Sequence, residues 1–135
     1  MTTILYASLL TFGLIFLSIN VIKGRRFHKV ALGNGEQQDM LARVRAQGNF
    51  AEYSIFFIVL LFLNETSGMP IFLVHIFGII FLCGRALHAY SLLKDETYVD
   101  GQLAKNPTYR IAGMMITFST LGILGLSSLI LYFTQ

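Results

Sequence analysis

The segment Arg43-Val-Arg-Ala-Gln-Gly-Asn-Phe-Ala-Glu-Tyr53 carries a guanidinium (Arg45), an amide (Asn49), a carboxylate (Glu52) and a phenol (Tyr53). Their spacing of i, i+4, i+7 and i+8 puts them on one face of a helix. The opposite side holds Phe50, Phe57 and later leucines. Charges in apolar surroundings are costly and must find partners, water or a ligand. Arg25, Arg26 and Arg85 add further guanidinium, so cations exceed carboxylates around the stripe. Because guanidinium forks onto carboxylates, the chemistry indicated is capture of an anionic ligand. The stripe has a plainer reading as well: interhelical hydrogen bonds, worth ~0.6 kcal/mol each, can merely register membrane helices. The arginine surplus favours a site.

These residues need apolar elements to position them. Of the 135 residues, 55% are hydrophobic and 13% are charged, about half the charged share of an ordinary soluble domain, and the mean hydropathy is +0.66. Lipid is therefore the expected solvent. The reading is all-α: an integral membrane bundle of four transmembrane helices forming a single domain over 1–135. The first span is expected from about Thr2 to Ile22 and ends at the basic stop Lys23-Gly24-Arg25-Arg26-Phe27-His28-Lys29. With no basic stretch ahead of it, that long run reads as a retained span, not a cleaved signal peptide. A second helix begins near Glu36 to Met40, and its apolar part runs from Phe50 to Leu63. Asn64 to Pro70 reads as a turn, with Pro70 opening the third span to about Leu93. Asn106-Pro107 starts the fourth span, from Arg110 to about Phe133. Its Gly113, Thr117, Gly122 and Gly125 are small residues that let membrane helices approach closely.

The net charge of +3 has its bases concentrated in two connections. Loop 23–46 holds Lys23, Arg25, Arg26, Lys29, Arg43 and Arg45, and loop 94–110 holds Lys94, Lys105 and Arg110. The positive-inside rule places both in the cytoplasm and both termini outside, and it accounts for the bases without a nucleic-acid partner. Cys83, the single cysteine, reads as a small buried hydrophobe. No His/Cys/carboxylate cluster has metal-ligand spacing, so no metal is expected. Arg85 reads as a structural ion pair neutralising Glu52. His88 reads as a ligand donor or an interfacial histidine, and His75 as interfacial.

Val21-Ile-Lys-Gly-Arg-Arg26, the Arg43–Tyr53 segment and Gly84-Arg85-Ala-Leu-His88-Ala-Tyr90 together resemble the MAPEG family of membrane-associated proteins in eicosanoid and glutathione metabolism, most of all its short bacterial members. The resemblance implies a homotrimer, placed in a bacterial inner membrane, with glutathione as co-substrate bound between subunits near the loop ends. It implies glutathione-binding roles for Arg25, Arg45, Gln47, Asn49, Glu52 and Tyr53, with His88 and Tyr90 nearby, and a mainly structural role for Arg85. The implied activity is that of a glutathione transferase or peroxidase acting on a hydrophobic small molecule or lipid hydroperoxide. The chain departs from the family's eukaryotic synthases where they carry two third-helix tyrosines: it has His88 and Leu92. The thiol-activating arginine of those synthases falls at about Val99 here. Arg26, then Arg110, are the candidate catalytic cations, with Lys94 and Lys105 as other substitutes. A non-catalytic scaffold that keeps the fold is the alternative, and a small transporter ranks third.

Overall fold

The computed structural model describes residues 1–95, 98–99, 102–104 and 106–134. Four helices account for most of it: α1 Thr3–His28, α2 Gln38–Thr66, α3 Ile71–Tyr90 and α4 Thr108–Thr134. A π-helical turn, Ser91–Asp95, prolongs α3. Each of the four is long and apolar enough to cross a membrane, α3 together with its π turn. In hydrocarbon a helix is the arrangement that satisfies its own backbone. The α3–α4 connection contains a small antiparallel ladder, β1 (Tyr98–Val99) with β2 (Gln102–Leu103), an addition to the polar loop expected there.

Two boundaries differ from the expectation. α1 does not stop at Ile22 but runs through the basic cluster to His28, where Lys29 turns left-handed at φ 55 and the Val30 N–H donates to the Arg25 carbonyl at 3.0 Å. Basic residues in a last turn suit the negative end of the helix dipole, so they extend the helix even where they end its apolar stretch. At the other end, Asn64, Glu65 and Thr66 belong to α2, and the turn starts at Ser67. Asn64 is fully buried because its amide donates to the Leu124 carbonyl at 3.2 Å and the Ser128 hydroxyl at 2.8 Å, tying α2 to α4. Glu65 accepts the backbone N–H groups of Thr2 and Thr3. It thereby satisfies donors that a helix start leaves orphaned and binds α2 to the beginning of α1.

The helices pair as α1 with α2 and α3 with α4, and α2 also touches α3 and α4. The core lies along α2, where Phe57 stacks on Phe81 of α3 with ring centroids 3.9 Å apart, among Leu10, Leu61, Val74 and Leu124. Outward faces show Phe12, Phe56, Phe72 and Ile130 to the surroundings, as a lipid-solvated surface requires. Cys83 is on this exposed face, correcting the expectation of a buried thiol: it lies two positions from the core residue Phe81, on the other side of α3.

Close approaches occur at particular glycines. A Cβ at Gly113 would stand 2.6 Å from the Gly84 carbonyl oxygen and 2.8 Å from the His88 nitrogen, so α3 and α4 meet backbone to backbone there. Gly122 and Gly125 face open space within the chain. A Cβ at Gly78 would fall 2.3 Å from the ring of Tyr6, whose hydroxyl bonds His75 Nδ1 at 2.8 Å and donates to the His75 carbonyl at 3.1 Å. His75 thus joins α3 to α1, a function the sequence reading had not given it. Gly78→Val is expected to destabilise the fold by roughly 1–3 kcal/mol through overpacking, measured by denaturant titration in detergent. An unchanged midpoint would show that the Tyr6 ring yields freely.

Candidate functional site

An open cavity of about 660 Å³ lies at the loop end of the bundle. Helix α2 forms one wall with Gln38, Leu41, Arg45, Asn49 and Glu52. His88 and Leu92 come from the end of α3, Arg110 from the first turn of α4, and Gly33 and Asn34 from the α1–α2 connection. The stripe read from the sequence is therefore a cavity wall. Arg45 and Glu52 are exposed, and among the described residues neither has a hydrogen bond or an ion pair. They are seven residues apart, or about 10 Å along the helix at 1.5 Å per residue. His88 is only 5% exposed, fixed by the approach of Gly113 to its backbone. Arg110 is half-buried and engaged in contacts of its own.

Beneath the cavity lies Arg85, 1% exposed. The expected pairing with Glu52 is not formed: among the described residues no carboxylate comes within salt-bridge distance of Arg85. Its Nη1 instead donates to Asn49 Oδ1 at 2.6 Å and to the Asn49 carbonyl at 3.3 Å, and its Nη2 approaches the Met114 sulfur at 3.5 Å. The guanidinium carbon lies 5.3 Å from the Tyr53 ring centroid and 6.0 Å from that of Phe81, distances at which an aromatic face attracts a cation. The reason is one of facing: Asn49 and Tyr53, a turn apart, point towards α3, whereas Glu52 points out to the cavity. With Asn49 Oδ1 taken by Arg85, its amide nitrogen is left to serve the cavity as a donor.

The other expected site residues disperse. Gln47 turns to α1 and donates to the Ser18 hydroxyl at 3.0 Å. Arg25 holds the Ala31 carbonyl at 2.8 Å and so braces the connection to α2. Arg26 is exposed and does not line the cavity. Tyr53 packs against Phe118, with centroids 5.5 Å apart, as well as against Arg85. Tyr90 is on another face, edge-on to Tyr109 at 6.0 Å. Lys105 lies outside the described residues, as does the side chain of Val99.

Two features escaped the sequence reading. Gln38 stands seven residues before Arg45 as Glu52 stands seven after it, so the same helical period could have found it. Arg43, counted only as a loop base, hydrogen-bonds the Asn20 side chain and reaches Asp39 at 3.5 Å, while His28 Nε2 meets Asp39 at 2.9 Å. This clasp holds the end of α1 to the start of α2 behind the cavity wall.

Four helices long and apolar enough to cross a membrane, with a charged cavity at one end, define an integral membrane protein. The chain belongs to the MAPEG family, whose family model matches residues 3–130. It is 36% identical over 91 residues to "Inner membrane protein YecN" of Escherichia coli K12, a stretch covering 67% of this chain and 70% of that protein. The protein of the same name from Escherichia coli O6:H1 strain CFT073 matches to the same extent.

Replacing Asn49 by Leu leaves a buried guanidinium without its main acceptor, and hydrogen bonds to charged groups are worth roughly 1.5–3 kcal/mol. Asn49→Leu should lower stability by about that much in a denaturant titration, whereas Asn49→Asp keeps the acceptor and should retain most of it. Equal losses in the two variants would show that the acceptor is not what matters.

Proposed function

We propose that the cavity binds glutathione and that the protein is a glutathione-dependent transferase or peroxidase. The observation that carries this reading is the pair of unpartnered opposite charges, Arg45 and Glu52, on one cavity wall. Glutathione has two carboxylates, an ammonium group and a thiol. Arg45 suits a carboxylate, Glu52 the ammonium, and the amides of Asn49 and Gln38 the peptide bonds between. His88 and Arg110 face the same space from α3 and α4. A thiol has a pKa near ~8.5, and an adjacent cation lowers it. Arg110 lines the cavity and Arg26 does not, which favours Arg110 as the residue stabilising the thiolate. The thiolate sulfur then bonds to an electrophilic carbon of a hydrophobic substrate as its leaving group departs with the bonding electrons. Or it attacks a lipid hydroperoxide, breaking the O–O bond to give the alcohol and a glutathione sulfenic acid that a second glutathione converts to the disulfide and water. Family membership supports a homotrimer as part of the same proposal. The name of the Escherichia coli relative supports an inner membrane location, and the loop bases support a cytoplasmic placement of the cavity.

One observation favours a second reading, a binding protein without turnover: His88 stands where the synthases have tyrosine. Calorimetry of glutathione with detergent-purified protein tests the first reading. Saturable binding is expected, weakened roughly tenfold or more by Arg45→Ala and by Glu52→Ala, since a charge-assisted contact is worth at least ~1.4 kcal/mol. Absence of binding to well-folded protein would overturn the glutathione reading. Binding without turnover of any electrophile or hydroperoxide would establish the second.

A further inference from the structure

A second concavity, of about 440 Å³, lies on another side of the bundle and shares no lining residue with the polar cavity. Its sides are α1, with Leu9, Phe16, Leu17 and Asn20, and α3 with its π turn, which give Leu82, Ala86, Ala89 and Leu93; its floor is Phe50 of α2. It exists because α1 and α3 touch only sparsely and because small residues face one another across the gap. The Phe50 ring occupies the space that a side chain at Gly13 would take, and Ala86 and Ala89 leave α3 shallow. Tyr90 and Lys94 stand at the loop end.

The dimensions and the charge indicate the occupant. α1 and α3 run in the same direction through the membrane. From Leu9 to Asn20 is eleven residues and from Leu82 to Lys94 is twelve, or about 16–18 Å of helix. That length matches one leaflet of a hydrocarbon core ~30 Å thick. The walls are apolar throughout this length. The polar groups, the Lys94 ammonium, the Tyr90 phenol and the Asn20 side chain whose oxygen already accepts from Arg43, come where a headgroup would lie, on the side of the basic loops. A basic side chain at the end of an interhelical apolar groove suits an anionic lipid headgroup.

We infer that the α1–α3 groove is a binding site for an anionic phospholipid of the loop-side leaflet, with one acyl chain along Phe50, Ala86 and Ala89 and the headgroup phosphate on Lys94. The lipid fills the gap between two helices that scarcely touch, and it does so away from the polar cavity. The site is thus a lipid-binding site separate from substrate capture.

The chain contains no tryptophan, so a single introduced one reports its surroundings cleanly. Phe16→Trp places the probe in the groove, and Phe12→Trp places it on an exposed face of α1 outside it. Each variant is reconstituted in bilayers of phosphatidylcholine containing a small fraction of either phosphatidylglycerol or phosphatidylcholine brominated along its acyl chains. At Phe16→Trp the brominated phosphatidylglycerol should bind about fivefold more tightly than the brominated phosphatidylcholine, the preference expected of one lysine at ~1 kcal/mol. At Phe12→Trp the two should quench alike. Adding Lys94→Gln should abolish the preference, and Ala86→Phe should reduce quenching at position 16 by filling the groove. Equal quenching by the two lipids at position 16, or a preference that survives either added substitution in folded protein, would overturn the proposal.

Discussion

A guanidinium that hydrocarbon would expel sits at the centre of this bundle, and its satisfaction constrains much of the rest. Arg85 is wholly enclosed and donates its Nη1 hydrogen bonds to Asn49 on α2, with the faces of Tyr53 and Phe81 and the sulfur of Met114 around it and its Nε–H left without an acceptor. A buried cation without partners is far more costly than an exposed one, so α2, α3 and α4 cannot rotate independently at this level. The rotation that delivers Asn49 to Arg85 also turns Glu52 and Arg45 outwards into the cavity. The interior contact and the open site are two faces of one helical setting.

The remaining polar groups follow the same logic at other depths. Near the loops, the clasp of His28, Asp39, Arg43 and Asn20 joins α1 to α2. At the far end, Glu65 closes the start of α1 and Asn64 holds α4. Between them the contacts are aromatic and aliphatic, with Phe57 on Phe81 as their centre. Lipid is as apolar as leucine and gives helices little reason to associate. Hydrogen bonds at three levels and close glycine contacts take the place of the hydrophobic drive that assembles a soluble core.

The four spans were legible because twenty-residue apolar runs have few alternatives, and the α2 stripe because its period is that of a helix. Charge pairing was less legible. Sequence places Arg85 and Glu52 in the same region, but whether a carboxylate or an amide meets the guanidinium depends on the rotation of α2 by a single turn position. The ends of α1 and α2 were not legible, because hydropathy marks where a helix leaves hydrocarbon and not where its hydrogen bonds cease. Gln47, Tyr53 and Tyr90 lie close in sequence to the cavity-lining residues but project from other sides of their helices. They reach Ser18, Phe118 and Tyr109.

The backbone contact of Gly113 with Gly84 also fixes the mechanics of α4. This helix is pinned there and again where Asn64 holds Leu124 and Ser128, so it behaves as a beam clamped at two points about 16 Å apart. Arg110 rides on the overhang beyond the first clamp, three residues out and less than one turn long. An overhang that short scarcely bends. The cation that α4 presents to the cavity is therefore aimed by a rigid mount, and any adjustment to what enters must come from the torsions of its own side chain.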